Sequence, residues 1–416
     1  MPINLSKLNN NFFLYILGLL PLFLLTGTLI PELFILLILL GFLFQVFKNK
    51  DFSYFNNRVF FFLLIIYGYL IFNYTVSTDR DLSFSRAFSF IRFPLIIISI
   101  DYFLKRNDYK LDIVFNLWAI TLVVVVFDLF FQSYFGYNLF GFESYWNNRL
   151  SGFMKDELKI AHWLIGFIMP TIAFFLMKNK KYFYTFIASI VFLIILLLIN
   201  ERSNALKGIF ILFFILIFNN RLSLNKKFTA IILSIIIVTT MVSFNQNIKQ
   251  RFYIEIKSMT GVSGVISTDK SNITYKDYIK RSNYGPHFYA AIDIFKRNKL
   301  FGTGLKTFRI ECANANVEPS MEDRKCSTHP HQIYLEILSE IGFIGFFLFF
   351  SFFLMIIFKS IKAYLKNNDL ILLSSCGFIV SQILPFLPSG SFFTSFSAII
   401  FWINISLIYS LLNKYK

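Results

Sequence analysis

Apolar stretches of about 17 residues or more, each long enough to cross a bilayer, recur along almost the whole chain. Backbone groups in hydrocarbon must be satisfied within their own segment, so each stretch has to be a helix. The pattern predicts spans over 11–29, 32–47, 59–77, 85–104, 111–135, 160–177, 182–199, 205–219, 228–244, 332–358, 369–386 and 391–413. The expected fold class is an all-α integral membrane protein of about 12 transmembrane helices. An apolar share of 56% and 57 Phe exclude an ordinary soluble domain. The first stretch follows a weak basic start, Lys7, and reaches Pro31 and Glu32 without a clear small-residue cleavage site. It reads as a retained signal anchor.

The net charge of +17 could suggest a nucleic-acid partner, but its distribution argues against one. With a cytoplasmic N-terminus, the basic residues fall on the inner connections: Lys48, Lys50 and Arg58; Lys105, Arg106 and Lys110; Lys178, Lys180 and Lys181. Arg221, Lys226, Lys227, Lys359, Lys362, Lys366, Lys414 and Lys416 continue the series. The short outer connections are almost free of Lys and Arg. This charge sets topology, so no nucleic acid is expected.

The same count divides the chain into helices one to nine (1–244), a polar outer loop with short helices (245–331) and the last three helices (332–416). A second, aromatic outer loop spans about 136–159 and includes Tyr145-Trp146-Asn147-Asn148-Arg149. Cys312 and Cys326 share the large loop. A disulfide between them would contribute about 3 kcal/mol by loop closure and needs an oxidising compartment. Cys376, in an apolar span, reads as a small buried residue. Residues 288–297 have helical amphipathicity. Gly302-x-Gly304 after them marks a tight turn or a close backbone approach to a ligand.

The polar groups that could do chemistry collect on the outer side. Thr328-His329-Pro330-His331-Gln332 leads into the tenth span, with two of the four histidines of the chain. Arg202 lies in the short turn before the eighth span, and Arg281 in the large loop, where Lys280, Arg251 and Arg309 also occur. Arg86 is expected to snorkel to the interface. Arg92 lies deeper, so it should face the bundle, either as a ligand of substrate or in an ion pair with Asp128. Gln332, Glu336 and Glu340 form one polar stripe, for helix–helix hydrogen bonds or for a cavity wall. Asp79-Arg80-Asp81 reads as a solvated turn. Guanidinium forks bind phosphate and stay charged, and a neutral imidazole can take a hydroxyl proton. The set suits transfer from a lipid-linked diphosphate sugar, with no metal needed.

His331-Gln332, nine residues, Gly342, two residues and Gly345 resembles the motif of the O-antigen ligase and polymerase family. The span count, the large loop before the tenth span, Gly302-x-Gly304 with Phe308, and Arg202 are similar too. The resemblance implies an inverting GT-C type glycosyltransferase in the bacterial inner membrane, with its site facing the periplasm. The implied donor is an undecaprenyl-diphosphate-linked glycan, and the acceptor is lipid A-core for a ligase or a second lipid-linked glycan for a polymerase. No metal or other cofactor is implied. Carried over by position, His331 is the catalytic base, and Arg202 and Arg281 are the diphosphate-binding arginines. Gln332, His329 and Arg92 join Arg202 and Arg281 as candidate substrate contacts. The leading reading is ligase, with polymerase second. A lipid-linked sugar transporter is the competing class, but no internal repeat of the kind many transporters carry is visible.

Overall fold

The computed structural model describes residues 5–143, 149–155, 157–255, 282–385 and 387–415, and of residues 5–10 the backbone only. The described residues are helical apart from turns and one isolated bridge. Counting helices of ten residues or more, the elements are α1 Leu5–Leu24, α2 Leu29–Asn49, α3 Arg58–Thr75, α4 Arg80–Ser89, α5 Arg92–Arg106, α6 Asp112–Phe135 and α7 Ile160–Asn179. There follow α8 Tyr182–Leu198, α9 Arg202–Phe218, α10 Leu224–Phe244, α11 Gly285–Arg297, α12 Ile333–Asn367, α13 Leu370–Gln382 and α14 Ser395–Lys414. Each span expected from the sequence overlaps mainly one of these helices, except the fourth, which overlaps two. Among the described residues, 8 helices are long and apolar enough to cross a membrane, and three shorter apolar helices accompany them. The chain is therefore a multi-pass membrane protein.

Two of the expected spans are broken. The fourth starts at Arg80 and divides into α4 and α5 at Phe90 and Ile91. Pro94 falls in the first turn of α5, where a proline costs no hydrogen bond. Asp79 belongs to this helix and not to a solvated turn: its carboxylate accepts from Leu82 N at 2.9 Å and caps α4. The other break is inside α12, where Gly342 has φ 69° and ψ −173°.

The phenylalanines do both jobs expected of them. Phe93 stacks on Trp402 with centroids 5.4 Å apart, joining α5 to α14, and Phe392 packs edge-on against Phe401 in the same core. Phe44, Phe47, Phe61 and Phe127 lie exposed on the bundle exterior. Helix α10 buries none of its side chains, as expected of a peripheral helix facing lipid. Lysine-rich helix ends collect at the end of the bundle away from His331. There Tyr415 donates to Asp369 at 2.6 Å and Asn413 to Asp101 at 2.9 Å.

The large loop has its own small core. Ala290, Ala291 and Ile294 of α11 pack on Phe308, Cys312 and Ala315. Cys312 and Cys326 are joined as a disulfide, with Cα atoms 5.2 Å apart, and Cys376 is buried and free.

Candidate active site

The site begins with a seam. The break at Gly342 leaves the backbone groups of residues 339–344 without their helical partners, and the segment Lys299–Gly304 supplies new ones. Phe343 N donates to Lys299 O at 2.8 Å and Ile344 N to Leu300 O at 3.2 Å. In return Thr303 N donates to Ser339 O at 3.1 Å and Gly304 N to Glu340 O at 2.7 Å. Helix α3 completes the accounting: Asn73 Nδ2 donates to Phe301 O at 2.6 Å and the Tyr69 hydroxyl to Ile341 O at 2.5 Å.

This explains the glycines of both motifs. A Cβ on Gly302 would lie 2.5 Å from Glu340 O, and one on Gly342 would lie 2.3 Å from Leu300 O. At Gly302 the close approach is that of α12 and not of a ligand, whereas a Cβ on Gly304 would meet the Ser77 and Ser83 side chains. The polar stripe follows the same logic. Glu340 accepts from Lys306 N at 2.8 Å, and Glu336 accepts from Phe392 N at 2.8 Å and from the Ser391 hydroxyl. These carboxylates fix loops at the helix mouth. Gln332 caps α12, its side-chain oxygen accepting from Leu335 N at 2.9 Å.

With its mouth fixed in this way, α12 begins beside a group of rings. His331 adopts the left-handed conformation, φ 58°, which is uncommon for a non-glycine residue. Its carbonyl accepts from Ser389 N at 2.8 Å. The His331 ring lies 4.0 Å from that of His329, 5.0 Å from Tyr284 and 5.4 Å from His287, centroid to centroid. Tyr284 and His287 stand at the N-terminus of α11. Neither was singled out from the sequence, although Pro286 in the first turn is a helix-start signal that places both.

Arg202 opens α9, and the next residue, Ser203, donates to Pro388 O. Pro388 adjoins Ser389, which holds His331, so one loop ties the starts of α9 and α12 together. The Arg202 guanidinium is 3.5 Å from Glu255, which also takes Arg251 at 2.8 Å. Two arginines thus share one carboxylate near Tyr284. Burial and Glu201 push the Tyr284 hydroxyl up, while Arg251 and Arg202 oppose that. Arg251 comes from a single turn of π-helix, Gln250–Ile254. Arg281 and Lys280 lie outside the described residues, as do Tyr145–Asn148 of the aromatic loop.

Arg92 is elsewhere. It pairs with Glu32 at 3.0 Å and donates to Ser89 O at 2.7 Å. The expected pairing with Asp128 does not form, because Asp128 accepts from Leu139 N at 2.9 Å and holds the aromatic loop. Glu32, one turn into α2, faces α5 and reaches Arg92 first.

Burial, then His329 and His287, push the His331 imidazole down to about 3, and burial likewise takes His329 to about 4. Both rings are therefore neutral at pH 7 and able to accept a proton. A bound anion beside them would favour the imidazolium and raise these values. The expected result is a pH split. The acid limb of kcat, which reports the complex, should lie at higher pH than that of kcat/KM, which reports the free protein. Coincident limbs in a stopped-assay pH series would mean that the anion binds away from the imidazoles.

Residues 187–350 match the family model described as O-antigen ligase. The match includes Arg202, Arg251, the seam glycines and His331, and leaves Arg86 and Arg92 outside. No curated protein matches the chain.

Proposed function

We propose, from the premise that this chain belongs to the O-antigen ligase and polymerase family through residues 187–350, that it transfers a glycan from undecaprenyl diphosphate to an acceptor hydroxyl. The reaction is that of an inverting GT-C type enzyme in the bacterial inner membrane, with the site on the periplasmic face. The observation that carries this reading is the loop Pro388–Ser389, which holds Ser203 beside Arg202 and the backbone of His331. It ties the starts of α9 and α12 together, which supports reading Arg202 as the diphosphate-binding charge and His331 as the base of one site. The disulfide in the large loop supports an oxidising compartment.

His331 takes the proton of the acceptor hydroxyl as that oxygen attacks the anomeric carbon. The bond to the diphosphate oxygen breaks, and the leaving diphosphate keeps the electron pair. Arg202 and Arg251 stabilise the charge that grows on it. Arg281 is the further donor suggested by position in the sequence. The description of the matched family, O-antigen ligase, supports the ligase reading, for which lipid A-core is the proposed acceptor.

Purified protein incubated with undecaprenyl-diphosphate oligosaccharide, and with either lipid A-core or a second lipid-linked repeat, tests the reading. A lipid A-core product is expected. Product only from the second lipid-linked repeat would make the chain a polymerase, and no product with either would refute transfer. Arg202→Lys should lower kcat/KM by about tenfold or more, since a point charge cannot replace a planar fork. A rate equal to that of the native protein would remove Arg202 from diphosphate binding.

A further inference from the structure

Arg202 and Arg251 stand on the Tyr284 side of His331. Three more cations lie on the His329 side. Arg86, Lys306 and Arg309 line a small cavity of about 30 Å³ with His329, Glu336 and Glu340. The α4 helix is stitched to the loop that carries Lys306. The Ser83 hydroxyl donates to Leu305 O at 2.9 Å, and Thr78 N to Thr303 O at 2.8 Å. Lys306 is itself held by its backbone N–H on Glu340.

Four other arginines at the helix mouths are held in ion pairs. Arg92 is paired with Glu32, Arg202 and Arg251 with Glu255, and Arg297 with Asp293. Among the described residues Arg86, Lys306 and Arg309 form no ion pair. Arg86 reaches only the Ser395 hydroxyl, at 3.4 Å, and Arg309 the Thr328 carbonyl, at 3.5 Å. Glu336 and Glu340 are close, but their oxygens are taken by the N–H and hydroxyl donors described above. Even with both ionised, three cations against two carboxylates leave one positive charge in excess. Burial, then Arg86 and Arg309, lower the Lys306 ammonium below its ordinary value, as expected of crowded cations.

Arg86 also heads a larger cavity of about 480 Å³, shared with the Glu32–Arg92 pair, that runs along α2 past Leu29, Leu33 and Leu36 and keeps one positive charge in excess at its head. These leucines are 74%, 49% and 48% exposed, with nothing among the described residues packed over them. A positive head over an apolar groove suits a phosphate that carries hydrocarbon chains, because each half satisfies one part of such a molecule.

We propose that Arg86, Lys306 and Arg309 hold the phosphate of the acceptor lipid, with its chains in the groove along α2. This rests on the transferase reading above. Donor and acceptor then reach the imidazole pair from opposite sides, each on its own set of cations.

The test uses the full chain in phosphatidylcholine nanodiscs with Leu36→Cys as a reporter, the native cysteines being disulfide-bonded or buried. The rate of maleimide labelling is measured with bis-phosphorylated lipid A, undecaprenyl phosphate, dephosphorylated lipid A or inorganic phosphate. At least one phosphorylated lipid should slow labelling about tenfold, and dephosphorylated lipid A should not. Inorganic phosphate at the same concentration should not reverse the protection. Adding Arg86→Gln and Lys306→Gln should abolish it while the protein stays monodisperse. In transfer assays the same pair should raise the acceptor KM about tenfold and leave the donor KM within about twofold. The proposal is overturned if neither phosphorylated lipid protects, if dephosphorylated lipid A protects equally, if free phosphate displaces the lipid, or if the donor KM rises instead. Protection without any transfer by the native chain would refute the transferase reading and leave a phospholipid site. Transfer without protection would remove this site alone.

Discussion

Glycan transfer by the His331→Ala protein falls about 10²- to 10⁴-fold, the contribution expected of a positioned general base. The loss should be in kcat, because the ring contributes to moving a proton more than to holding either substrate. The fold should survive. The tie from this residue to Ser389 is made by its carbonyl, which alanine keeps, and the neighbouring Gln332 cap on α12 is untouched. The backbone conformation does need a control, since φ 58° suits asparagine better than alanine. His331→Asn keeps that conformation and removes the base, so it should be as inactive as the alanine variant. Both variants should insert, form the disulfide and elute as the native protein does. Transfer at more than a tenth of the native rate by His331→Asn would take the proton-accepting role away from this residue.

Gly342→Ala should destabilise the protein by about 3 kcal/mol or more. Two effects add. With φ 69° and ψ −173°, Gly342 occupies a region of backbone space that is essentially closed to residues with a Cβ. The new atom would also lie 2.3 Å from Leu300 O, 2.4 Å from Leu300 C and 2.5 Å from Phe301 N. All three belong to a backbone segment pinned by Asn73, so no flexible side chain can yield. Gly68→Ala is the control. Gly68 is helical, and a Cβ there meets nothing within 4 Å, so the change should be neutral or slightly stabilising. Thermal unfolding in detergent, followed by loss of monodisperse protein, separates the two. If Gly342→Ala melts with the native chain, the seam is not what the glycines serve.

The membrane helices were legible in the sequence because lipid permits so few alternatives. A backbone in hydrocarbon must bond to itself, and the positive charges then orient the stack. The Cys312–Cys326 bond and the position of His331 at the mouth of a helix were readable for similarly local reasons. What could not be read was pairing between distant segments. The Gly302 and Gly304 pattern announces that something comes close, but only the fold shows that α12 meets the first glycine and Ser77 the second. Arg92 finds Glu32 and not Asp128 because helix rotation decides which carboxylate faces it, and the weak periodicity of α2 and α6 does not fix that rotation. Arg251 was one of several loop cations until Glu255 joined it to Arg202. Tyr284 and His287 were missed because the amphipathic pattern was taken to start at 288, beyond the proline that opens the helix.

The hydrogen bonds from Asn73 and Tyr69 to Phe301 and Ile341 bear on how the protein could be divided. The matched stretch, residues 187–350, contains the receiving carbonyls but neither donor. Expressed by itself it would carry bare peptide oxygens into hydrocarbon, each costing several kcal/mol. The matched part is thus no free-standing module. A split version of the protein should recover only when the fragment bearing α3 is supplied alongside.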